Sequence, residues 1–435
     1  MARDATLEQD PPLRLRRAAV VAPVPARATS WAETARAVLP AFLVTRLIVL
    51  VAGALAVAIW GIVPVDDVYD PQGRTTALGE PLSTIIAPLA RWDSAWLLDV
   101  ADVRYPAGYE PRTAFFPLYP LLVRVLGFAL TPLVAGLVLS AVAAFGGAML
   151  VHRIAERELG RRVADRAVWA LLLFPGSLWL SAVYTEGLFL LLAAGCILAA
   201  HQGRWLLAGT LGALASATRS AGIVLAAVLV VVWWEQRRAA LHERRPLPDA
   251  PTAALAAGMV PLGLVAFLVG LALAGHPWTA PFDVQAEWQR QTTAPWIGAW
   301  DGLVAGWHGA GQVLGLERAP AEGMLGLARL NVALLLCLVG ALLCLVGTAR
   351  RLRPSLTAYA GLALLMPLCS PASADGGTQP LMSLPRFVGV LFPLAIWLAW
   401  WLGRRGAGWR WTLAVAGGAL LALVAALTAR WTFVA

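Results

Sequence analysis

Three adjacent residues, Arg91-Trp92-Asp93, place a guanidinium, an indole and a carboxylate in a polar segment of an otherwise apolar chain. The aromatic run 114–120, Ala-Phe-Phe-Pro-Leu-Tyr-Pro, follows shortly after. Charged groups beside a membrane are costly unless they bind something or react. A partly desolvated Asp93 could accept a proton from an alcohol. The alternative is an N-terminal helix charge or cap, because Asp is favoured at that position.

Three arginines lie within or beside apolar runs, namely Arg46, Arg219 and Arg386. A guanidinium inside a helical bundle needs an anionic partner, and its planar shape suits phosphate. We therefore predict a lipid phosphate or phosphodiester as their ligand. The alternative for Arg46 and Arg219 is an internal pair, for example with Glu186, whereas Arg386 could snorkel to an interface.

Two further polar groups are candidates for substrate binding. Tyr184 and Glu186 lie at the junction of two apolar runs, where a carboxylate predicts a functional site or a hydrogen-bonded anchor for two helix ends. Gln285, Trp288 and Arg290 belong to a later polar segment. Tryptophan faces stack on sugars, but tryptophan also marks membrane interfaces.

No cofactor is firmly implied. The carboxylate pairs Asp66-Asp67 and Asp99 with Asp102 could hold a divalent cation such as Mg or Mn, and solvated loop carboxylates are the favoured alternative. The five histidines are scattered and the four cysteines lie in apolar runs. These patterns indicate packing residues rather than a transition-metal site or a disulfide set.

The composition defines the fold class. Of 435 residues, 59% are hydrophobic and 14% charged, and the mean hydropathy is +0.71. Long apolar runs predict an all-α polytopic membrane protein, because helices satisfy their backbone in lipid and the runs are too long for barrel strands. The net charge of +9 would suggest nucleic acid in a soluble protein, but here the arginines cluster in short loops between spans.

The apolar runs divide the chain into a tail and one domain. We predict a disordered cytoplasmic tail, 1–35, and a single transmembrane domain, 36–435. About eleven spans are expected, near 38–62, 130–152, 167–183, 184–201, 205–217, 219–234, 251–274, 324–347, 355–370, 385–402 and 411–432. A helical stretch is expected at 81–103, and helix breaks are expected at Pro175-Gly176 and Thr218-Arg219-Ser220.

Charge orients these spans. Arginines fill four short loops, at 153–166, 237–245, 350–353 and 404–410, and alternation of the spans puts these loops on one side. The positive-inside rule makes that side cytoplasmic. The loops 63–113, 275–323 and 371–384 are then extracytoplasmic, and the first of them is rich in acidic residues. We predict a multi-pass cell-membrane protein with a cytoplasmic N-terminus and an extracytoplasmic active site.

The motifs resemble those of a known family. Arg91-Trp92-Asp93, the segment Tyr105–Glu110 and the run 114–120 are similar to the signature of the PIG-V mannosyltransferases and their bacterial relatives. Tyr184-Thr185-Glu186, the segment Thr218–Gly222, the Gln285/Trp288/Arg290 set and Pro385-Arg386-Phe387 follow in the family's order. The resemblance covers roughly 40–400.

The resemblance implies a GT-C-like bundle and an inverting glycosyltransferase that uses a polyprenyl-phosphate sugar, with mannose as the expected hexose. It implies Asp93 as general base and Arg219, Arg386 or Arg46 as ligands of the donor phosphate. Arg91, Trp92, Glu110, Tyr184, Glu186, Gln285, Trp288 and Arg290 are implied substrate-binding residues. Membrane lipids and a glycolipid or glycan acceptor are the other partners, and no nucleic acid is expected.

Two positions depart from the family pattern. Trp96 stands where the family usually has histidine, and Arg104 replaces the glycine before Tyr105. These departures leave the acceptor open and indicate a diverged acceptor side of the pocket; a cell-envelope glycolipid, such as a phosphatidylinositol mannoside, or a glycan is a candidate acceptor. Two other functions stay open at this point: a flippase or transporter of lipid-linked sugars, and a non-catalytic subunit of a glycosylation complex.

Overall fold

The structure is a computed structural model that describes residues 29–63, 69–106, 108, 110–317, 324–374, 377–432 and 434. The described chain is mostly helical. Its α-helices are α1 (Trp31–Trp60), α2 (Leu82–Ile86), α3 (Asp93–Val103), α4 (Leu118–Leu126), α5 (Pro132–Leu159), α6 (Arg161–Leu173), α7 (Leu178–Ser181), α8 (Glu186–His201), α9 (Trp205–Ser216), α10 (Val224–Glu243), α11 (Ala250–Met259), α12 (Leu262–Leu273), α13 (Ala280–Asp283), α14 (Pro295–Val313), α15 (Met324–Arg351), α16 (Pro354–Leu368), α17 (Leu384–Gly389), α18 (Phe392–Gly403) and α19 (Ala407–Ala429). Short 3-10 helices occupy Arg74–Thr76, Ala87–Leu89, Pro111–Ala114, Pro175–Ser177, Ser220–Ile223 and Val284–Trp288. Two strands, β1 (Ala372–Ala374) and β2 (Gly377–Gln379), pair antiparallel with Ser373 opposite Thr378.

The number of spans differs from the prediction. In the described chain, six helices are long and apolar enough to cross a membrane, and the bent pair α6–α7 makes a seventh if it counts as one span. The apolar helices α8, α9, α16 and α18 also lie at predicted spans but have 16, 12, 15 and 12 residues. A straight crossing needs about 20 residues. The polytopic helical fold is confirmed, and the count of eleven is not.

Helix α1 begins earlier than predicted. Ser30 forms a capping box, in which its hydroxyl accepts from the Glu33 amide at 3.1 Å and its own amide donates to the Glu33 carboxylate at 2.7 Å. This reciprocal cap starts the helix at Trp31, so residues 31–35, predicted as tail, are helical. The rest of the predicted tail, 1–28, lies outside the described residues.

The predicted span at 167–183 is bent by 82° where α6 ends. Pro175 has no amide hydrogen and disfavours a helical conformation at Phe174, whose ψ is 133°. The break expected at Pro175-Gly176 is thus confirmed. The break around Arg219 is confirmed too, because Arg219 is extended between α9 and the following 3-10 helix.

The predicted helix 81–103 is interrupted. It consists of α2, a 3-10 helix and α3, and the chain turns at Trp92, whose φ is +57°. A tryptophan in this conformation is uncommon, and no local sequence pattern announces it. The turn makes Asp93 the first residue of α3.

Helix α8 forms the centre of the bundle. Nearly all its residues are buried, between α5 on one side and α9 on the other. Small residues allow close approach: a β-carbon at Gly147 would lie 3.0 Å from Leu190. Because the buried α8 starts at Glu186, the core holds this carboxylate at a fixed depth.

The segments predicted as extracytoplasmic loops contain regular secondary structure. The predicted loop 275–323 includes the 19-residue helix α14, which packs on α15 through Gly306 and Gly309 and exposes Trp296, Trp300 and Trp307. The predicted loop 371–384 includes the β1–β2 hairpin, of which 375–376 lie outside the described residues. Helix α17, which carries Arg386, contacts the 3-10 helix Pro175–Ser177 and the helices α15 and α16.

Candidate active site

Asp93 contacts an arginine from the far end of the sequence. Its Oδ2 accepts from Arg386 Nη1 at 2.6 Å, and its side chain is 28% exposed. The Asp93 amide donates to the Tyr184 hydroxyl at 3.2 Å, which in turn donates to the Arg91 carbonyl at 3.1 Å. Asp93 therefore lies in the first turn of α3 as the capping alternative requires, but its carboxylate makes no capping hydrogen bond.

Glu186 ties two arginines to the same place. Its Oε1 accepts from Arg386 Nε at 2.9 Å and from Arg219 Nη1 at 2.7 Å, and the side chain is fully buried. Arg386 also lies over the ring of Tyr184 at 4.7 Å. We call Asp93, Glu186, Arg219 and Arg386 the acid–arginine cluster. Removal of one of these buried charged groups would leave its partner without a counter-charge and would destabilise the fold.

Sequence reasoning identified these four residues singly but not how they pair. The internal alternative is correct for Arg219, which pairs with Glu186. Arg386 does not snorkel, since its side chain is 14% exposed and bound to two carboxylates. Two aromatic neighbours were missed: the Arg219 guanidinium lies 4.6 Å from the centre of the Phe387 ring and 6.0 Å from that of Phe189. Their apolar type gave no signal of this contact.

Arg290 adds a third cation near the cluster. Its guanidinium donates to the carbonyls of Ser370 at 3.0 Å and Met382 at 3.2 Å. The pKa of Arg290 is lowered to about 10, chiefly by burial and to a smaller extent by the charge of Arg386, while Asp93 opposes this. Three guanidiniums thus face two carboxylates, which leaves a surplus positive charge.

An aromatic group lies one helical turn beyond Asp93. The Trp96 ring stacks on Phe115 at 5.9 Å, and Trp288 meets both rings edge-on, at 6.2 and 5.9 Å. All three rings are half-buried. The i, i+3 spacing puts Trp96 on the same side of α3 as Asp93 and is the signal that could have found it. Trp288 was predicted as a substrate residue, whereas Trp96 and Phe115 were not.

Several predicted substrate residues have other contacts. The Arg91 guanidinium donates to the Ala429 carbonyl at 3.2 Å, and the Trp92 ring packs on Tyr69 and Trp431. Both side chains hold segment 63–113 against the end of α19. The backbone carbonyl of Arg91 nevertheless accepts the hydrogen bond from the Tyr184 hydroxyl. The Gln285 side-chain amide donates to the carbonyl of Pro281, four residues earlier.

A second ion-pair group lies at the other end of α3. Asp99 pairs with Arg74 at 3.0 Å and with Arg112, Asp102 pairs with Arg74 at 2.8 Å, and Glu110 lies 3.5 Å from Arg112. Glu110 is therefore bound here and has no contact with the acid–arginine cluster among those described. The Asp99 and Asp102 carboxylates, which are candidate ligands of a divalent cation by sequence, are thus paired with arginines.

The described residues contain no group of three or more His, Cys, Asp or Glu side chains that could hold a metal ion. Asp66 and Asp67 lie outside the described residues.

Arg46 is not part of the acid–arginine cluster. Although it is buried in α1, its guanidinium donates to the Ser177 carbonyl at 2.7 Å, to both the Ser177 and Ser181 hydroxyls, and to the Leu172 carbonyl at 3.5 Å. Its partners are thus the carbonyls and hydroxyls of the α6–α7 bend. Among the described contacts, Arg46 neither pairs with Glu186, which was the alternative from the sequence, nor contacts Arg386.

Comparison with known proteins identifies the family. Residues 42–275, more than half of the chain, match the family model described as mannosyltransferase (PIG-V). The chain belongs to the PIG-V mannosyltransferase family. The matched region includes Asp93, Glu186 and Arg219, whereas Arg290 and Arg386 lie beyond it.

Curated relatives match over a shorter region. GPI alpha-1,6-mannosyltransferase 2 of Rattus norvegicus is 34% identical over 167 residues, which are 35% of this PIG-V family chain and 33% of the rat protein. The same protein of Mus musculus is 32% identical over 166 residues. The match thus spans about a third of these relatives' length.

Two solved structures align along most of the chain. ArnT from Cupriavidus metallidurans, bound to undecaprenyl phosphate, aligns with a TM-score of 0.46 at 16% identity and covers 88% of this chain and 63% of that one. The apo Archaeoglobus fulgidus oligosaccharyltransferase aligns with a TM-score of 0.45 at 12% identity, over 92% and 56%.

Proposed function

We propose that this protein is an inverting membrane mannosyltransferase. It transfers mannose from a polyprenyl-phosphate sugar to a lipid-linked or cell-envelope glycan acceptor, at the extracytoplasmic face. The observation that carries the proposal is the 2.6 Å contact between Asp93 and Arg386, in a chain whose family is that of mannosyltransferases. The contact joins a carboxylate suited to proton abstraction to a guanidinium suited to phosphate.

The reaction moves one negative charge between these groups. Asp93 takes the acceptor hydroxyl proton while the acceptor oxygen bonds to the sugar's anomeric carbon. The bond from that carbon to the phosphate oxygen breaks, and its electron pair stays on the phosphate. Asp93 goes from −1 to neutral as the phosphodiester, at −1, becomes a monoester at −2. Arg386 contacts the base and faces the leaving group, so its charge stabilises both states.

The remaining cluster residues fit the donor. Arg219 is fixed on Glu186, and Arg290 supplies the surplus charge that an anionic donor would neutralise. Tyr184 holds the Asp93 backbone and so fixes the start of α3. The half-buried rings of Trp96, Phe115 and Trp288 are suited to an acceptor sugar face.

The distribution of arginines supports an extracytoplasmic site. The loops that hold α3, α14 and the hairpin lie at the opposite ends of the helices from the arginine-rich loops, as at Arg350 and Arg351. Those arginines favour the cytoplasm. A lipid-linked donor suits such a site, because its hydrocarbon stays in the bilayer while its phosphate reaches the arginines.

Transfer by the purified protein tests the proposal. The full chain in lipid nanodiscs is supplied with polyprenyl-phosphate mannose and a panel of glycolipid acceptors. We expect mannosyl product from the wild type and a loss of kcat of about 10³-fold for Asp93→Asn, within the range for a general base. The control is Asp102→Asn, on the same helix with a 57% exposed side chain, which should stay within twofold.

Near-normal turnover by Asp93→Asn would exclude Asp93 as the base. Movement of the lipid-linked sugar across the bilayer without product would instead support the flippase. No product with any acceptor, at retained donor binding, would support the non-catalytic subunit.

A further inference from the structure

Arg46 directs its described hydrogen bonds to the bend between α6 and α7. The helix α6 ends at Leu173, and its last carbonyls have no helical partner. Arg46 donates to the Leu172 and Ser177 carbonyls on the two sides of the break. A cation is favourable at a helix C-terminus, and unpaired carbonyls are costly inside a membrane protein. The Ser177 hydroxyl also donates to the Leu172 carbonyl, at 2.5 Å, so Arg46 and Ser177 together satisfy the carbonyls at the break.

The same bend supports the short helix that carries Arg386. A β-carbon at Gly176 would overlap the Pro385 carbonyl oxygen, and one at Gly389 would lie 2.9 Å from the Gly176 carbonyl. Both ends of α17 thus rest on Gly176, the neighbour of Ser177. A shift of the bend would move α17 and with it the Arg386 guanidinium.

The end of the bend at Ser181 is connected to Asp93 through Tyr184. Ser181, whose hydroxyl accepts from Arg46, precedes Tyr184 by three residues. Tyr184 is buried in a small core with Val49 of α1 and Leu178 of α7, and its hydroxyl binds the Asp93 amide. The bend therefore contacts Arg386 through Gly176 and Asp93 through Tyr184.

We propose that Arg46 is a positioning residue that fixes the distance between Asp93 and Arg386 by holding the α6–α7 bend, and that it does not bind the donor phosphate. This inference rests on the proposed mannosyltransferase function. Reaction rates fall steeply when reacting groups are misplaced by an ångström, so the role predicts a large effect on kcat from a residue outside the cluster.

The test measures kcat and donor affinity separately, with the full chain in nanodiscs and polyprenyl-phosphate mannose as the probe. For Arg46→Gln we expect kcat to fall about 30-fold and the donor Kd to change less than threefold, because cluster charges are unaltered. Arg46→Lys should recover most of kcat, since an ammonium can still bind carbonyls. The matched control is Arg430→Gln, which removes an arginine bonded to carbonyls at the end of α1 and should keep kcat within twofold.

A double-mutant cycle tests the route through Gly176. Gly176→Ala should also lower kcat, because the new methyl displaces α17. If both changes act through the bend, Arg46→Gln combined with Gly176→Ala should lose little more than the worse single variant. Multiplicative losses would overturn the inference.

Other outcomes are equally decisive. A donor Kd raised tenfold at unchanged kcat would make Arg46 a phosphate ligand, and wild-type kinetics would remove any role. If Arg46→Gln does not fold, Ser181→Ala, which removes one hydroxyl acceptor, should lower kcat about threefold at unchanged donor Kd; an unchanged kcat would contradict the proposal. A wild type without transfer activity would refute the mannosyltransferase proposal itself, and donor Kd would still separate the two roles of Arg46.

Discussion

The two ends of α3 both carry ion pairs, but they are built differently. At the first end, Asp93 pairs with Arg386, 293 residues away, and the pair continues into Glu186 and Arg219 of the buried bundle. At the other end, Asp99 pairs with residues from the same outer segment, 63–113. The first arrangement joins distant elements, whereas the second ties one segment to itself.

The charge balance differs as well. Near Asp93, three guanidiniums face two carboxylates. Near Asp99, three carboxylates pair with Arg74 and Arg112, and Arg124 donates only to backbone carbonyls there, at 2.8 Å to that of Asp102, so guanidiniums do not outnumber carboxylates. A surplus cation attracts an anionic ligand, and a balanced group does not. Function is therefore expected at the Asp93 end and stability at the Asp99 end.

The largest effect should separate the two ends by one type of substitution. Arg386→Gln should lower kcat/KM about 10³-fold, because the base and the leaving phosphate lose their common cation. Arg112→Gln, at Asp99, should keep kcat/KM within threefold and mainly lower the free energy of unfolding. Steady-state kinetics and thermal unfolding of both variants check this. Equal losses of kcat/KM would show that the ends do not differ in function.

The smallest effect concerns Trp96, which lies between the two ends. Trp96→Ala should raise the acceptor KM about fivefold and leave the donor Kd unchanged, because the residue faces Phe115 and Trp288 and not the arginines. Trp96→Phe, which keeps an aromatic face, should stay near the wild type. A change in donor Kd, with the acceptor KM constant, would place the donor sugar at these rings instead.

The sequence reveals individual groups better than it reveals their partners. Asp93, Glu186, Arg219 and Arg386 stand out because charged residues are rare among apolar runs, and the breaks at Pro175 and Arg219 follow from backbone chemistry. Which arginine meets which carboxylate depends on how the helices pack, and no periodicity encodes that. Arg46 shows the limit: a buried arginine needs compensation, but helix-end carbonyls can provide it as well as a phosphate can.

Boundaries were predicted less well where local rules compete with packing. The reciprocal Ser30–Glu33 cap is readable in the sequence and moves the start of α1 to Trp31. The turn at Trp92 is not readable, because a tryptophan at positive φ has no propensity signature and is held by Tyr69 and Trp431. The family resemblance suggested the candidate site residues, and the family is confirmed although the span count is not.

The short length of α8 bears on how deep in the membrane the proposed active site would lie. Its 16 residues rise about 24 Å, against about 30 Å of hydrocarbon in a bilayer. In the proposed orientation, with α8 along the membrane normal and His201 at the cytoplasmic boundary, Glu186 would lie about 6 Å beneath the extracytoplasmic boundary. A lipid phosphate could then meet the arginines by lateral diffusion within the leaflet, while a water-soluble acceptor would have to reach down into the protein. Local membrane thickness would thus affect the two substrates in opposite ways.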